Sequence, residues 1–168
     1  MNHHFAHREK ALLRPARDSD MSAVAEIWHQ GWRDGHLGHV PDALAAARTE
    51  ESFRLRAARR VDDTVVAEAG GEIAGFVMVS GDEVEQVYVA APHRGSGMAA
   101  DLLAEAARVV AAGGHERAWL AVATGNARAR RFYERNGWTD EGAFEYPAAD
   151  DPGPPIPVPC HRYVKELG

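Results

Sequence analysis

The apolar positions of this chain switch between a period of two and a period near 3.6, and the switches divide it into elements. Leu12, Leu13, Arg14 and Pro15 read as a short strand that the proline ends. Met21, Val24, Ile27, Trp28 and Trp32 then fall on one helical face, with Ser19 or Asp20 able to cap its start. Gly35, Gly38 and Pro41 break the chain into a loop. A second helical region is expected over residues 42–60, with Leu44, Phe53 and Ala57 turned inward. Its Arg48, Arg54, Arg56, Arg59 and Arg60 read as a solvated basic face, partly balanced by Glu50 and Glu51.

From residue 64 the period becomes two. Residues 64–69 and 72–80 read as strands joined across Gly70-Gly71, and residues 83–89 as a third strand after the turn Ser80-Gly81-Asp82. Such short turns make the three an antiparallel meander. After Pro92 a helix returns, with Leu102, Leu103, Ala106, Val109 and Val110 as its apolar stripe and Gly113-Gly114 as its stop. The apolar run 118–122 reads as a strand buried on both faces, parallel to 83–89 because a helix connects them. A helix over 126–135 ends at Asn136-Gly137, and 138–146 and 160–167 look like a final strand pair. The prolines of Pro147–Pro159 predict an irregular, stiff surface loop between them. The predicted class is α/β (α+β), a mixed, mostly antiparallel sheet of about seven strands flanked by about four helices.

Composition narrows the picture. A length of 168 residues predicts a single domain over 11–168, with the histidine-rich residues 1–10 as a flexible tail. Nineteen Lys and Arg against 25 Asp and Glu give a net charge of −6, which argues against nucleic acid as a partner. No apolar run is long enough for a membrane span, and the first residues do not read as a secretory signal. A single cysteine, Cys160, cannot close an internal disulfide, so a cytoplasmic location is expected. His36-x-x-His39 has no further ligands beside it, and no metal is expected.

The chemistry concentrates at Arg94-Gly95-Ser96-Gly97-Met98-Ala99, between a strand and a helix. Glycines there admit close backbone approach, and the free N–H groups of the helix start, with its positive dipole end, form an anion cradle. A nucleoside-triphosphate loop does not fit, because Met98-Ala99 stands where lysine and a hydroxyl are needed. Gly95-x-Gly97-x-x-Ala100 does match a dinucleotide fingerprint, but an antiparallel meander precedes it and Glu116 falls before the next strand. A purely structural turn stays open on local grounds.

Arg94-x-x-Gly97-x-Ala99 is similar to the R/Q-x-x-G-x-G/A motif of the GNAT superfamily of acetyl-CoA-dependent N-acetyltransferases. Residues 85–92, EQVYVAAP, resemble the strand and turn that precede it in that family. Asn126-Ala127-Arg128-Ala129-Arg130-Arg131-Phe132-Tyr133, followed by Asn136-Gly137-Trp138, resembles a second family segment, and the likeness covers about 11–167. The resemblance implies a splayed strand at 83–89 whose backbone at Val87, Tyr88 and Val89 receives the pantetheine arm of acetyl-CoA. It implies that Arg94, Gly95, Ser96, Gly97, Met98 and Ala99 hold the pyrophosphate. Asn126 then contacts the pantetheine region or caps its helix, or both.

The same resemblance makes Tyr133 the donor of a proton to the departing thiolate, and Glu83 or Glu85 the base for the amine. Two neighbouring carboxylates raise each other's pKa, which suits a base; holding a cationic substrate or facing solvent is the alternative for both. The acceptor is expected against Trp28, Trp32, His36, His39, Tyr146 and the 147–159 loop. Glu83, Glu85, Asp150 and Asp151 point to a cationic amine. The expected reaction is acetyl transfer from acetyl-CoA to a primary amine of a small molecule. A protein N-terminus or lysine as acceptor, or a non-enzymatic acetyl-CoA-binding regulatory module, are the alternatives; the resemblance also admits a homodimer.

Overall fold

The computed structural model describes residues 11–36, 38, 40–148 and 154–168. Strand β1 (Leu12–Pro15) is followed by α1 (Met21–His36), α2 (Asp42–Ala47) and α3 (Glu50–Ala58). The meander is β2 (Thr64–Ala69), β3 (Glu72–Ser80) and β4 (Glu83–Val89), followed by α4 (Met98–Ala112). The chain closes with β5 (Arg117–Ala123), α5 (Ala127–Arg135), β6 (Thr139–Ala148) and β7 (Ile156–Glu166). The seven strands form one sheet in the order β1-β2-β3-β4-β5-β7-β6, antiparallel throughout except for β4 beside β5.

β3 lies inside the sheet between β2 and β4 and is apolar on both faces, because helices cover both. Val77 and Val79 face the core beneath α4, where Leu102, Leu103, Ala106 and Val110 are buried. Phe76 and Met78 alternate to the other side and meet Trp28, Trp32 and Phe53 from α1 and α3. The first helix is anchored by charge as well as packing. Arg14 on β1 bonds Asp20 at 2.7 Å and Glu68 on β2 at 2.8 Å. Asp20 also accepts the Arg17 amide at 2.8 Å, so its carboxylate is held well below the ordinary range, chiefly by the Arg14 guanidinium.

Three expectations are corrected by packing. The 42–60 helix is two helices, with the break at Arg48 and a new start at Thr49, whose hydroxyl accepts the Ser52 amide at 3.1 Å. The proline-rich stretch is strand at both its ends, 147–148 and 156–159: Pro147 pairs with Pro157, and Glu145 with Pro159. Pairing of β7 with β5 begins at Cys160, so Pro157 and Pro159 sit where β7 has β6 on one side alone and needs no second row of amide donors. Finally, β5 is buried on one face by Ala118, Leu120 and Val122, while Trp119 and Ala121 are only half-buried on the other. Its continuous apolarity serves a cavity wall as well as the core.

Candidate functional site

β4 and β5 touch at one end and part. Their one recorded pairing is Glu83 with Trp119, supported by the Trp119 amide donating to the Asp82 carbonyl at 3.0 Å. The Trp119 indole N–H donates to the Asp82 carboxylate at 3.0 Å, closing the narrow end. Further along, Gln86 to Val89 pair with β3 alone, and β5 pairs with β7. The register of β4 slips between Val84 and Gln86, leaving Glu85 as an extra residue. This bulge bends the strand away from β5. The opening leads into a cavity of about 1060 Å³.

At the wide end, Gly95 and Gly97 take φ of +80° and +87°, conformations costly for a residue with a Cβ, and Gly97 caps α4. Nothing lies within 4 Å of where a Cβ on either would stand, so the turn faces open space at the positive end of a 15-residue helix. Arg94 is tethered beside it by its Nε to the Val89 carbonyl at 3.3 Å and by Asp34 of α1 at 2.9 Å. The side chains of Ser96 and Met98 turn elsewhere. The Ser96 hydroxyl donates to the His93 carbonyl at 2.5 Å, and Met98 is buried beneath α4. Asn126 caps α5 by accepting the Ala129 amide at 3.2 Å and also borders the cavity.

The cavity between the two ends is lined by the titratable groups. Tyr133 of α5 packs against Phe132 and Tyr163, and burial pushes its phenol up to about 12. Tyr88, on β4, is likewise raised by burial and by the neighbouring Tyr133. The Tyr146 hydroxyl donates to the Glu83 carboxylate at 2.6 Å. Glu83 is raised first by burial; the Tyr146 bond opposes this, and Glu85 and Asp82 add to it. Mutual repulsion of the two glutamates is thus the smaller cause, because Glu85 is bound by the Arg60 guanidinium at 2.6 Å. Cys160 also lines the wall, with burial pushing its thiol up to about 11.

Trp28, Trp32 and His36 lie along the α1 wall. Trp28 is 1% exposed, edge-on to Phe53 at 5.3 Å, with the Arg56 guanidinium 4.4 Å above its ring. Trp32 is buried and stacks on His36 at 5.5 Å. His39, Asp150, Asp151 and the tail 1–10 lie outside the described residues.

The expected cationic preference meets a contrary wall. Arg48, Arg56, Arg59 and Arg60 all border the cavity, against Glu83 and Glu85 on the facing strand. Of the basic residues on this segment, Arg54 behaves as a solvated ion, pairing with Glu51 at the surface. Arg56 Nη1 and Arg60 Nη2 are buried without a hydrogen-bond acceptor among the described residues, a state that costs about 1–3 kcal/mol per group. Burial, reinforced by Arg48, lowers Arg56 to about 10. The sequence did carry a signal: Phe53, Arg56, Ala57 and Arg60 follow the i, i+3, i+4, i+7 spacing of one helix face, and Phe53 and Ala57 are fully buried.

The sheet is thus split between two parallel strands, with an open glycine-rich turn at a helix start beside the cavity. Residues 22–138 match the Acetyltransferase (GNAT) family, and the chain belongs to it. An uncharacterized N-acetyltransferase of Mycobacterium tuberculosis is 34% identical over 113 residues, covering 64% of this chain and 70% of that protein. The solved GCN5-related N-acetyltransferase of Rhodopseudomonas palustris superposes with a TM-score of 0.72 at 18% identity, covering 94% of this chain and 96% of that one. The PaiA N-acetyltransferase of Thermoplasma acidophilum, solved with coenzyme A, gives 0.72 at 15% identity, covering 93% and 98%. The protein is a GNAT N-acetyltransferase, an acyltransferase. Among the described residues there is no cluster of three or more metal-ligating side chains, and no helix long and apolar enough to cross a membrane.

Proposed function

We propose that this protein transfers the acetyl group of acetyl-CoA directly to the primary amine of a small molecule. The observation that carries the reading is the single cavity joining the glycine turn to Glu83, Tyr133 and Tyr146 through the gap between β4 and β5. Acetyl-CoA supplies a thioester, an activated acyl group on a thiol leaving group.

The residues of the cleft fit that donor. The amides from Gly95 to Ala99 and the Arg94 guanidinium hold the pyrophosphate; unpaired backbone along Val87, Tyr88 and Val89 receives the pantetheine amides as an added strand would. Asn126 supports the same arm from the start of α5. Glu83 accepts a proton from the attacking amine, directly or through a water, and its raised pKa makes it a stronger base than a surface glutamate. As the C–N bond forms and the C–S bond breaks, Tyr133 supplies a hydrogen bond and then a proton to the leaving sulfur. Its phenol at about 12 holds that proton across the whole neutral range. Glu85 keeps Arg60 in place, and Trp32, His36 and Tyr146 wall the acceptor, with Trp28 behind Arg56.

A thiol-release assay over a panel of small amines and free-N-terminal or lysine peptides tests this. CoA release with small amines is the expected result. Release with peptides alone assigns the activity to proteins, and tight acetyl-CoA binding with no release from any amine makes the chain a binding module.

A further inference from the structure

The α3 wall of the cavity poses a requirement that a simple amine does not meet. Arg56 stands on the face of Trp28 with its Nη1 buried and without an acceptor among the described residues, and Arg60 Nη2 is in the same condition. Arg60 has two carboxylates, Glu85 at 2.6 Å and Asp63 at 3.0 Å, so its charge is answered. Among the described residues Arg56 makes no ion pair; it lies over the rings of Trp28 and Phe53, with Glu85 as a weaker, more distant charge. An aromatic face attracts a cation from above but leaves the in-plane N–H donors of the guanidinium unsatisfied. Arg56 lines the same cavity as Glu83, with Arg48 on the same wall.

We propose that the acceptor is an amine that also carries an acid group, of the amino-acid type, with its carboxylate bound by Arg56 on α3 and its amine directed to Glu83 on β4. This rests on the small-amine reading above and deepens it. The two ends of such a molecule have opposite charge, and the two cavity walls offer the opposite charges to match. A guanidinium held 4.4 Å above an indole ring and 5.6 Å from a phenyl ring has little freedom left, and its planar fork suits a two-point carboxylate contact. A carboxylate also answers the charge of Arg56, which a diamine or an uncharged amine does not.

The test uses matched pairs on the full-length enzyme: phenylalanine against phenethylamine, methionine against 3-methylthiopropylamine, lysine against cadaverine, each followed by CoA release. Aminoalkyl phosphonates form a further arm that separates carboxylate from phosphonate recognition. The acid-bearing member of at least one pair is expected to have a kcat/KM about 10- to 100-fold above its partner. Arg56→Met, which keeps the chain length over Trp28, brings that ratio towards one, and Arg56→Lys restores part of it. The ratio does not depend on the fraction of variant that folds. Equal or better turnover of the decarboxylated amines overturns this inference and leaves the small-amine reading intact, as does a ratio untouched by Arg56→Met. Turnover of peptides alone overturns both.

Discussion

Gly31, in the middle of α1, is predicted to be intolerant of even a methyl group. A Cβ built there lies 2.3 Å from Tyr88 Cδ1, 2.9 Å from Cε1 and 3.1 Å from Cγ, where ordinary contact begins at 3.4 Å. The helix and β4 must therefore separate by about 1 Å, or the Tyr88 ring must swing into the cavity. On a free helix surface Gly→Ala stabilises by about 0.5–1 kcal/mol, whereas overpacking a filled interior costs about 1–3 kcal/mol. With the contact this short, overpacking wins, and the net loss for Gly31→Ala is about 1–2 kcal/mol. In a chain of this size each kcal/mol moves the melting temperature by about 2–4 °C. Thermal denaturation should thus show Gly31→Ala melting several degrees lower. KM for acetyl-CoA should rise as well, because the end of α1 carries Asp34 to Arg94 and brings Gly35 against Asn126. A melting temperature unchanged or raised would refute the reasoning, since that is how an unpacked helical glycine behaves.

Further outcomes follow from the cleft. Tyr133→Phe should lower kcat about 10²–10⁴-fold with little change in acetyl-CoA binding, and an unchanged kcat removes Tyr133 from the proton-donor role. For Glu83 the sign is set by its raised pKa: the basic form exists above that pKa, so kcat/KM falls as pH falls through it. The Tyr146 bond favours the charged carboxylate, so Tyr146→Phe should move this acid limb to higher pH, and Glu83→Gln should abolish it. A limb that ignores both substitutions belongs to another group. Cys160, with its thiol near 11, is about one part in a thousand thiolate at pH 8. Iodoacetamide should label it in the native protein at least about 100-fold more slowly than in the urea-unfolded chain, and equal rates would contradict its burial.

Local physics was legible where it stood alone. The meander limits 64–69, 72–80 and 83–89 coincide with β2, β3 and β4, because alternation and tight glycine turns are properties of adjacent residues. Arg94 to Ala99 and Asn126 to Tyr133 carry their spacing in the chain, and the fold brings both segments to one cavity. The prolines of 147–159 read as a loop because whether a missing N–H matters depends on which neighbour lies alongside, and that is set by the end of β5. Glu83 and Glu85 look alike in sequence; a bulge and an arginine 25 residues away separate them into a half-buried hydroxyl-bonded carboxylate and half of an ion pair.

By itself, then, the amino-acid sequence determined most of the elements, the glycine turn after β4 and the likeness to the family, all of which depend on spacings within short segments. Only the tertiary structure decided the character of the cavity wall opposite β4. Net charge is a sum over the chain, and −6 argued only against nucleic acid, while Glu83, Glu85, Asp150 and Asp151 pointed to a cationic amine. Burial weights that sum: charges in solvent are screened, while Arg56, held on Trp28 at the edge of the cavity, is not.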